Sequence, residues 1–215
     1  MLSLPKLYAI LDIDSLTARG LEPLAVADAW LDAGVRLIQL RAKTMGSGAM
    51  LELADELVER TRRAGATFIV NDRVDIALLS GANGVHVGQG DLTPVQARDI
   101  ADRDGQAAAQ ALIIGLSTHT LDHVRAGIDG PADHLAIGPI FPTSTKADAD
   151  SAVGLPMVQQ AVRVMGRRPL VAIGGITLAT APAVLAAGAA SVAVISDLLT
   201  GDIGRRAREY LAICQ

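Results

Sequence analysis

Short apolar runs recur along the chain at a nearly even spacing, and longer segments of mixed polarity separate them. Each run is shorter than an ordinary helix and most are rich in β-branched residues, which predicts strands that are buried on both faces. The predicted strands are Leu7–Leu11, Val35–Leu40, Thr67–Val70, Val85–Val87, Leu112–Gly115, His134–Ile137, Leu170–Ile173 and Ser191–Ile195.

The segments between these runs are helix-like, and strand and helix alternate along the whole chain. Such alternation predicts parallel strands with helical crossovers, and eight units fit an α/β fold built as a single (β/α)8 TIM barrel over residues 1–215. A doubly wound open sheet is the alternative, but no G-x-G-x-x-G motif follows the first strand to support its dinucleotide-binding form. The predicted helices are Glu22–Ala33, Ala49–Ala64, Val74–Ser80, Pro94–Asp102, Leu121–Ala126, Leu155–Met165, Leu178–Ala187 and Leu198–Ile213.

Residues 169–196 contain no charged side chain, which at first suggests a membrane span. Gly174-Gly175, Pro182 and Gly188 interrupt this stretch, and its ends are β-branched, so the order strand, helix, strand is favoured. Residues 1–8 also lack the basic-then-apolar pattern of a signal peptide. The sequence therefore predicts a cytoplasmic protein with no membrane association.

Charge and composition exclude several further classes. The 215 residues include 19 Lys and Arg against 23 Asp and Glu, a net charge of −4, and only 2% of them are aromatic. A chain with neither a basic surplus nor aromatic platforms is not expected to bind nucleic acid. Its one cysteine, Cys214, excludes a disulfide within the chain and a cysteine-based zinc site.

The chemistry of a TIM barrel lies at the carboxyl ends of its strands. At the end of the second predicted strand, Gln39, Arg41 and Lys43 alternate with apolar residues and therefore point to one side. A solvated strand exit would account for one of these charges alone. Three polar side chains on one side of the strand end favour an anion-binding site.

Two carboxylates follow the next two strands. Asp72 comes after the third and Asp91 after the fourth, where each could simply cap a helix or complete a turn. Together, with no thiol or histidine directly beside them, they suit a hard cation such as Mg²⁺. Beside Arg41 and Lys43, that cation predicts a phosphate or diphosphate ligand.

The later strands add neutral donors. Ser117 follows the fifth strand, either as a helix cap or as a phosphate donor, and the role of His119 is left open. Gly174-Gly175 follows the seventh strand and Ile195-Ser196 the eighth, where barrels commonly bind phosphate through backbone N–H groups. The long loop 138–154 carries hydroxyls and a lysine that suit phosphate contacts, at Thr143, Ser144, Thr145 and Lys146.

These positions predict two anion sites in one barrel mouth, one with Mg²⁺ and cations and one with backbone amides. Two small phosphorylated substrates that meet there would explain both sites. Because a diphosphate held by Mg²⁺ is a good leaving group, the predicted reaction is group transfer with release of diphosphate.

Eight motifs in series resemble the thiamine-phosphate synthase family. The series covers residues 8–196, nearly the whole chain, and is specific as a set although each motif alone is weak. In chain order the motifs read YAILD, QLRAK, NDRVDIA, GVHVGQGDL, IGLSTH, AIGPIFPTSTK, VAIGGI and SVAVIS.

The resemblance implies a TIM-barrel transferase that joins hydroxymethylpyrimidine diphosphate to thiazole phosphate, or to the carboxylated tautomer of the thiazole. The products would be thiamine phosphate and diphosphate, formed through a pyrimidine cation, with Arg41, Lys43, Ser117 and Lys146 as catalytic residues. One Mg²⁺ per subunit is implied at Asp72 and Asp91. The implied pyrimidine-diphosphate residues are Gln39, Leu40, Arg41, Ala42, Lys43, Asn71, Ser117 and Lys146. Those implied for the thiazole phosphate are Thr143, Ser144, Thr145, Gly175, Ile195 and Ser196.

Two alternatives stay open at this point. A thiazole tautomerase shares the barrel and many of the motifs and is similar in having a histidine at the position of His119. The tautomerase family resembles the synthase family less closely in the carboxylate motifs, so the presence of Asp72 and Asp91 here favours the synthase. A ligand sensor without catalysis would be expected to lose the charged mouth residues, which are present here. A homo-oligomer is compatible with the sequence, which does not itself give the oligomeric state.

Overall fold

The computed structural model describes residues 2–103, 112–143 and 151–214. Its eight strands are all parallel and close into a barrel in sequence order, with β1 paired to both β2 and β8. The TIM-barrel prediction is therefore confirmed. The strands are β1 Leu7–Asp12, β2 Leu37–Arg41, β3 Thr67–Asn71, β4 Gly84–Val87, β5 Ile113–Thr118, β6 His134–Ile137, β7 Leu170–Ile173 and β8 Ser191–Val194.

Helices follow the strands and cover the outside of the barrel. A 3-10 helix, Ser196–Leu199, directly follows β8 and precedes the last α-helix. The α-helices of the described ranges are α1 Ile13–Thr17, α2 Pro23–Ala33, α3 Ser47–Arg63, α4 Val74–Ser80, α5 Pro94–Arg103, α6 Leu121–Ile128, α7 Gly154–Met165, α8 Ala181–Ala186 and α9 Ile203–Ile213.

The alternation of side chains along each strand divides the core into two layers. Outward-facing residues such as Ile38 and Leu40 pack against the helices. Inward-facing residues such as Tyr8, Leu37 and Ile69 form a separate cluster inside the barrel. The inward positions at the amino-terminal end of the barrel are thus mostly apolar, with His134 and Ser191 as buried polar exceptions, and the inward side chains become more polar toward the carboxyl ends.

Residues 169–196 form β7, α8 and β8, as the interruptions in their sequence predict. Among the helices described, none is both long and apolar enough to cross a membrane. The charge-free stretch is therefore explained by burial of two barrel strands and one helix face.

Three details differ from the sequence prediction. The helix predicted over Leu198–Ile213 is split, because Gly201 adopts a left-handed φ of 63° and Asp202 caps a new helix by accepting from the Arg205 N–H at 2.6 Å. Helix α1 was not predicted, since it has only five residues. Strand β5 continues to Thr118, so Ser117 lies within the strand and Thr120 caps α6 instead.

Candidate active site

The inward-facing side chains become polar toward the carboxyl ends of the strands. On β1 the inward series runs from Tyr8 through Ile10 to Asp12, and on β2 from Leu37 through Gln39 to Arg41. The polar ends of neighbouring strands meet because the strands are in parallel register. They form a mouth with a charged side at β2–β4 and a largely neutral side at β7–β8.

On the charged side, the two cations predicted from the sequence are both paired with carboxylates. Arg41 Nη1 donates to Asp12 Oδ2 at 2.5 Å, and Asp12 is almost completely buried. Lys43 Nζ forms an ion pair with Asp72 Oδ2, and the Lys43 side chain is 45% exposed. An incoming anion would therefore compete with these carboxylates for the cations.

The two predicted metal-binding carboxylates lie side by side. Burial raises the pKa of Asp72, Lys43 opposes the rise, and the neighbouring Asp91 carboxylate adds to it, leaving the pKa above its ordinary value. Asp91 Oδ2 also accepts from the Gly88 N–H at 2.8 Å, which fixes its orientation. Like charges held together in this way attract a cation.

The backbone at Asp72 is strained in the manner of many functional sites. Its φ of 65° is left-handed, a conformation that no other non-glycine residue adopts in the described part of the chain. The Asp72 N–H donates to the His86 carbonyl at 2.8 Å, which ties the turn to β4. This turn aims the carboxylate toward Lys43 and Asp91.

The pair fits Mg²⁺ better than a metal that needs a full set of protein ligands. Within residues 2–103, 112–143 and 151–214, no cluster of three or more His, Cys, Asp or Glu side chains could hold a metal ion. Mg²⁺ is usually bound by one or two carboxylates, with water and substrate phosphate oxygens completing its shell. Asp72 and Asp91 match that pattern.

The neutral side of the mouth contains a cavity of about 390 Å³. Its walls come from the ends of β5 to β8 and from the loops that follow them. They include the predicted phosphate residues Thr143, Gly175, Ile195 and Ser196. The volume lies in the range of small-molecule sites.

Glycine allows two loops to approach closely at this cavity. Gly174 and Gly175 have φ values of 99° and 62°, and a Cβ on Gly175 would lie 2.6 Å from the Pro142 carbonyl oxygen. The Phe141 N–H donates to the Gly174 carbonyl at 3.0 Å. The first part of loop 138–154 is thereby fastened against the end of β7.

A second, smaller cavity of about 20 Å³ lies deeper in the barrel, beneath the charged side. Gln39, Arg41, Asn71 and Ser117 contribute to its lining, which places four predicted pyrimidine-diphosphate residues around one space. Ser117 belongs to the walls of both cavities. It therefore stands where ligands of the two sides would meet.

Ser117 contacts a buried histidine, His86, which in turn contacts a second one, His134, and the motifs singled out neither. His86 Nε2 is 2.9 Å from Ser117 Oγ, and His86 Nδ1 is 3.4 Å from His134 Nε2. Only glycine leaves room for the pair, since a Cβ on Gly115 would lie 2.2 Å from His86 Nδ1. Burial lowers the pKa of His134 to about 4, so its imidazole is neutral at physiological pH.

Asp197, next to Ser196, connects the phosphate loops to the last helix. Its carboxylate accepts from the Leu178 N–H at 3.0 Å and from Arg206 Nη2 at 2.9 Å to each oxygen. The Tyr210 hydroxyl donates to the same carboxylate at 2.5 Å. The loops after β7 and β8 are thus fixed to one another and to α9.

His119 faces the large cavity, and its Nδ1 is 2.8 Å from the Gly138 carbonyl oxygen. The bond orients the ring, which the sequence alone did not indicate.

The predicted residues are distributed over both sides of the mouth as follows. Leu40 and Ala42 have buried side chains, so they would contact a ligand through their backbone. Ser144, Thr145 and Lys146 lie outside the described residues. The remaining predicted positions surround the two cavities or the carboxylate pair: Gln39, Arg41, Lys43, Asn71, Asp72, Asp91, Ser117, Thr143, Gly175, Ile195 and Ser196.

Asp12, His86, His134 and Asp197 are the residues that sequence reasoning missed. Asp12 ends the first apolar run and His86 lies within the GVHV strand, where period-2 alternation places both inward. That alternation was the available signal. Their partners are distant in the chain, so the contacts themselves have no local signature.

Comparison with known proteins identifies the family. A family model described as thiamine monophosphate synthase matches residues 7–198. A thiamine-phosphate synthase of Koribacter versatilis is 42% identical over 99% of this chain and 97% of its own length. One from Methanospirillum hungatei is 40% identical over 92% of each chain.

Among solved structures, a thiamine phosphate pyrophosphorylase from Pyrococcus furiosus has a similar fold. Its TM-score is 0.84 at 32% identity, with 98% of this chain and 95% of that chain covered. The match extends over nearly the whole of both chains. The chain therefore belongs to the thiamine monophosphate synthase family.

Proposed function

We propose that this protein is a transferase that condenses hydroxymethylpyrimidine diphosphate with thiazole phosphate, giving thiamine phosphate and diphosphate. The observation that carries the proposal is the two-sided mouth. Cations and a carboxylate pair lie on one side, a cavity with neutral donors lies on the other, and Ser117 stands between them. The thiamine-phosphate synthases at about 40% identity support the same activity.

The pyrimidine diphosphate would bind on the charged side. Gln39, Asn71 and Arg41 line the small interior cavity. Lys43 follows β2 and is paired with Asp72 beyond the end of β3. Binding would draw the two cations from Asp12 and Asp72 toward the diphosphate oxygens. The substrate thus exchanges places with carboxylates that hold the same cations beforehand.

Asp72 and Asp91 would hold one Mg²⁺, which supplies positive charge beside the departing diphosphate when it is bound. The exchange of partners frees Asp72 from Lys43 and makes the carboxylate available. Binding of the pyrimidine diphosphate would therefore both engage the two cations and free the carboxylate pair for Mg²⁺.

The thiazole phosphate would bind on the neutral side, with Thr143, Gly175 and Ser196 around its phosphate. Ser117 would lie near the reacting centre, oriented by His86. We propose that the C–O bond to diphosphate breaks first, because the aminopyrimidine delocalises positive charge. The thiazole nitrogen then captures the cation, so no protein nucleophile is needed and positioning carries much of the rate.

Lys146 is the third proposed cation that would contact the departing diphosphate. It lies outside the described residues, and the family resemblance alone supports its role. Together with Arg41 and Lys43 it would stabilise negative charge that develops on the diphosphate.

The testing experiment measures diphosphate release with both substrates present, with and without EDTA. We expect release that requires both substrates and Mg²⁺ and that yields thiamine phosphate. Aromatisation of a thiazole tautomer without Mg²⁺ would instead indicate a tautomerase, and ligand binding without turnover would indicate a sensor. A cytoplasmic location and two small phosphorylated substrates as partners belong to the same proposal.

A further inference from the structure

The large cavity contains a cation that the sequence motifs did not assign. Arg19 lies in the turn after α1, at the carboxyl end of β1, and its exposed side chain forms part of the cavity wall. Ser196, Gly175 and Thr200 belong to the same wall. The segment after β1 thus reaches the large cavity beside the ends of β5 to β8.

The described residues provide no carboxylate partner for Arg19. Its Nη1 donates to the Ser15 main-chain carbonyl at 2.9 Å, a bond that leaves the positive charge uncompensated. By contrast, Arg41 and Lys43 each pair with a carboxylate on the other side of the mouth. Arg19 can therefore meet an anion without first leaving an ion pair.

The carboxylate in the described cavity wall, Asp197, is already neutralised. It is bound by both Arg206 and Tyr210, so its negative charge does not cancel that of Arg19. A phosphate held by hydroxyls and backbone amides still carries its full negative charge. Arg19 is placed to offset that charge, and a guanidinium matches the geometry of a phosphate.

We propose that Arg19 is a specificity-determining residue that binds the phosphate of the thiazole substrate. The inference rests on the proposed function, because the cavity must be the thiazole-phosphate side. It predicts that the contact is made in the ground state and the transition state alike, since this phosphate does not react. Removal of Arg19 should therefore raise KM and leave kcat nearly unchanged.

The test compares Arg19→Ala and Arg19→Lys with the wild type in steady-state assays that vary each substrate in turn. For Arg19→Ala we expect the KM for thiazole phosphate to rise roughly 5- to 30-fold, while the KM for the pyrimidine diphosphate stays the same. Arg19→Lys should recover only part of the loss, because it keeps the positive charge but lacks the paired N–H donors of the guanidinium. High salt should reduce the difference between wild type and Arg19→Ala.

Arg62→Ala is the matched control, since Arg62 is also exposed but lies on the outer helix α3. Calorimetric binding of thiazole phosphate gives a readout that does not depend on turnover. An Arg19→Ala variant with unchanged KM and binding, in an enzyme whose wild type turns over, would overturn the inference. Equal increases in both KM values would overturn it as well. Absence of turnover in the wild type would instead count against the proposed function.

Discussion

On the β2–β4 side of the barrel mouth, Arg41 and Lys43 are held by Asp12 and Asp72. On the β7–β8 side, glycine turns and hydroxyls surround an open cavity of about 390 Å³. The charged side must change partners to accept a ligand, whereas the neutral side has its shape before the ligand arrives. Substitutions should accordingly act through charge on one side and through shape on the other.

The difference has an origin in the strands themselves. Polar residues at inward positions of β1 to β4 bring several charges into a low-dielectric barrel, where an unpaired charge is costly. Pairing Arg41 with the buried Asp12 removes that cost. The ends of β7 and β8 bring small residues instead, and glycine at position 175 allows the loop after β7 to approach Phe141 and Pro142 closely.

The largest effect is expected from the carboxylate pair. Asp72→Asn and Asp91→Asn keep the shape of the side chain and remove the charge that would hold Mg²⁺. We expect turnover to fall about 100- to 1000-fold, with partial recovery at high Mg²⁺ and an unchanged melting temperature. Steady-state diphosphate release measures this effect.

Asp75→Asn serves as the control for the carboxylate variants. Asp75 belongs to the same segment but pairs with Arg73 on the surface. It should retain nearly all activity. Near-normal turnover of both Asp72→Asn and Asp91→Asn without added metal would contradict the proposed metal site.

A shape change on the neutral side should come next. Gly175→Val places a branched side chain where even a Cβ alone would lie 2.6 Å from the Pro142 carbonyl oxygen, at a left-handed φ of 62°. Strain and overlap of this kind cost about 1–3 kcal/mol each. We expect the KM for thiazole phosphate to rise at least about tenfold, with a much smaller change in the KM for pyrimidine diphosphate.

Gly65→Val separates strain from overlap. Gly65 has nearly the same φ, 63°, but a Cβ at this position would meet no atom within 4 Å beyond its chain neighbours. This variant should lose stability through strain alone and keep both KM values. A Gly175→Val enzyme with equal changes in both KM values would show that the two sides are not separate.

The third prediction concerns His134, which lies beneath both sides. Its pKa of about 4 in the folded protein is below the ordinary value of 6.5, so the unfolded chain takes up a proton first as the pH falls. The stability contributed by neutral His134 is complete above the unfolded pKa and is lost as the pH falls toward 4. His134→Gln should remove this dependence.

Urea unfolding measures the effect directly. Between neutral pH and about pH 5, the wild type should lose about 2 kcal/mol more of its unfolding free energy than His134→Gln does. Parallel pH profiles for the two proteins would show that His134 does not titrate as its burial implies.

Local patterns predict the fold and part of the site. The period-2 alternation at Gln39 and Arg41, against Ile38 and Leu40, is a property of a few adjacent residues, and it places the first pair inward. The contact of Arg41 with Asp12 spans 29 residues, and that of His86 with His134 spans 48. Such pairings depend on barrel closure and register, which no local window contains.

The smallest predicted effect concerns Mg²⁺ affinity. It tests whether the cations and carboxylates of the charged side already bind one another before a ligand arrives. Lys43→Met removes the cation that competes for Asp72. In the free enzyme, the affinity for Mg²⁺ should rise roughly two- to fivefold, the value of a partly exposed ion pair, even though turnover falls. Calorimetric titration with Mg²⁺ alone measures the affinity without any substrate.

The size of this effect depends on pH. Lys43 lowers the pKa of Asp72, so its removal lets burial and Asp91 raise that pKa further. The gain in affinity is therefore complete only at high pH, where Asp72 is ionised, and it shrinks as the pH falls and protonation competes with the metal. Arg73→Met, which removes a nearby charge that pairs with Asp75, should change the affinity much less. Unchanged or weaker Mg²⁺ binding by Lys43→Met at high pH would mean that Lys43 does not compete for Asp72, and that the charged side is as open before substrate arrives as the neutral side.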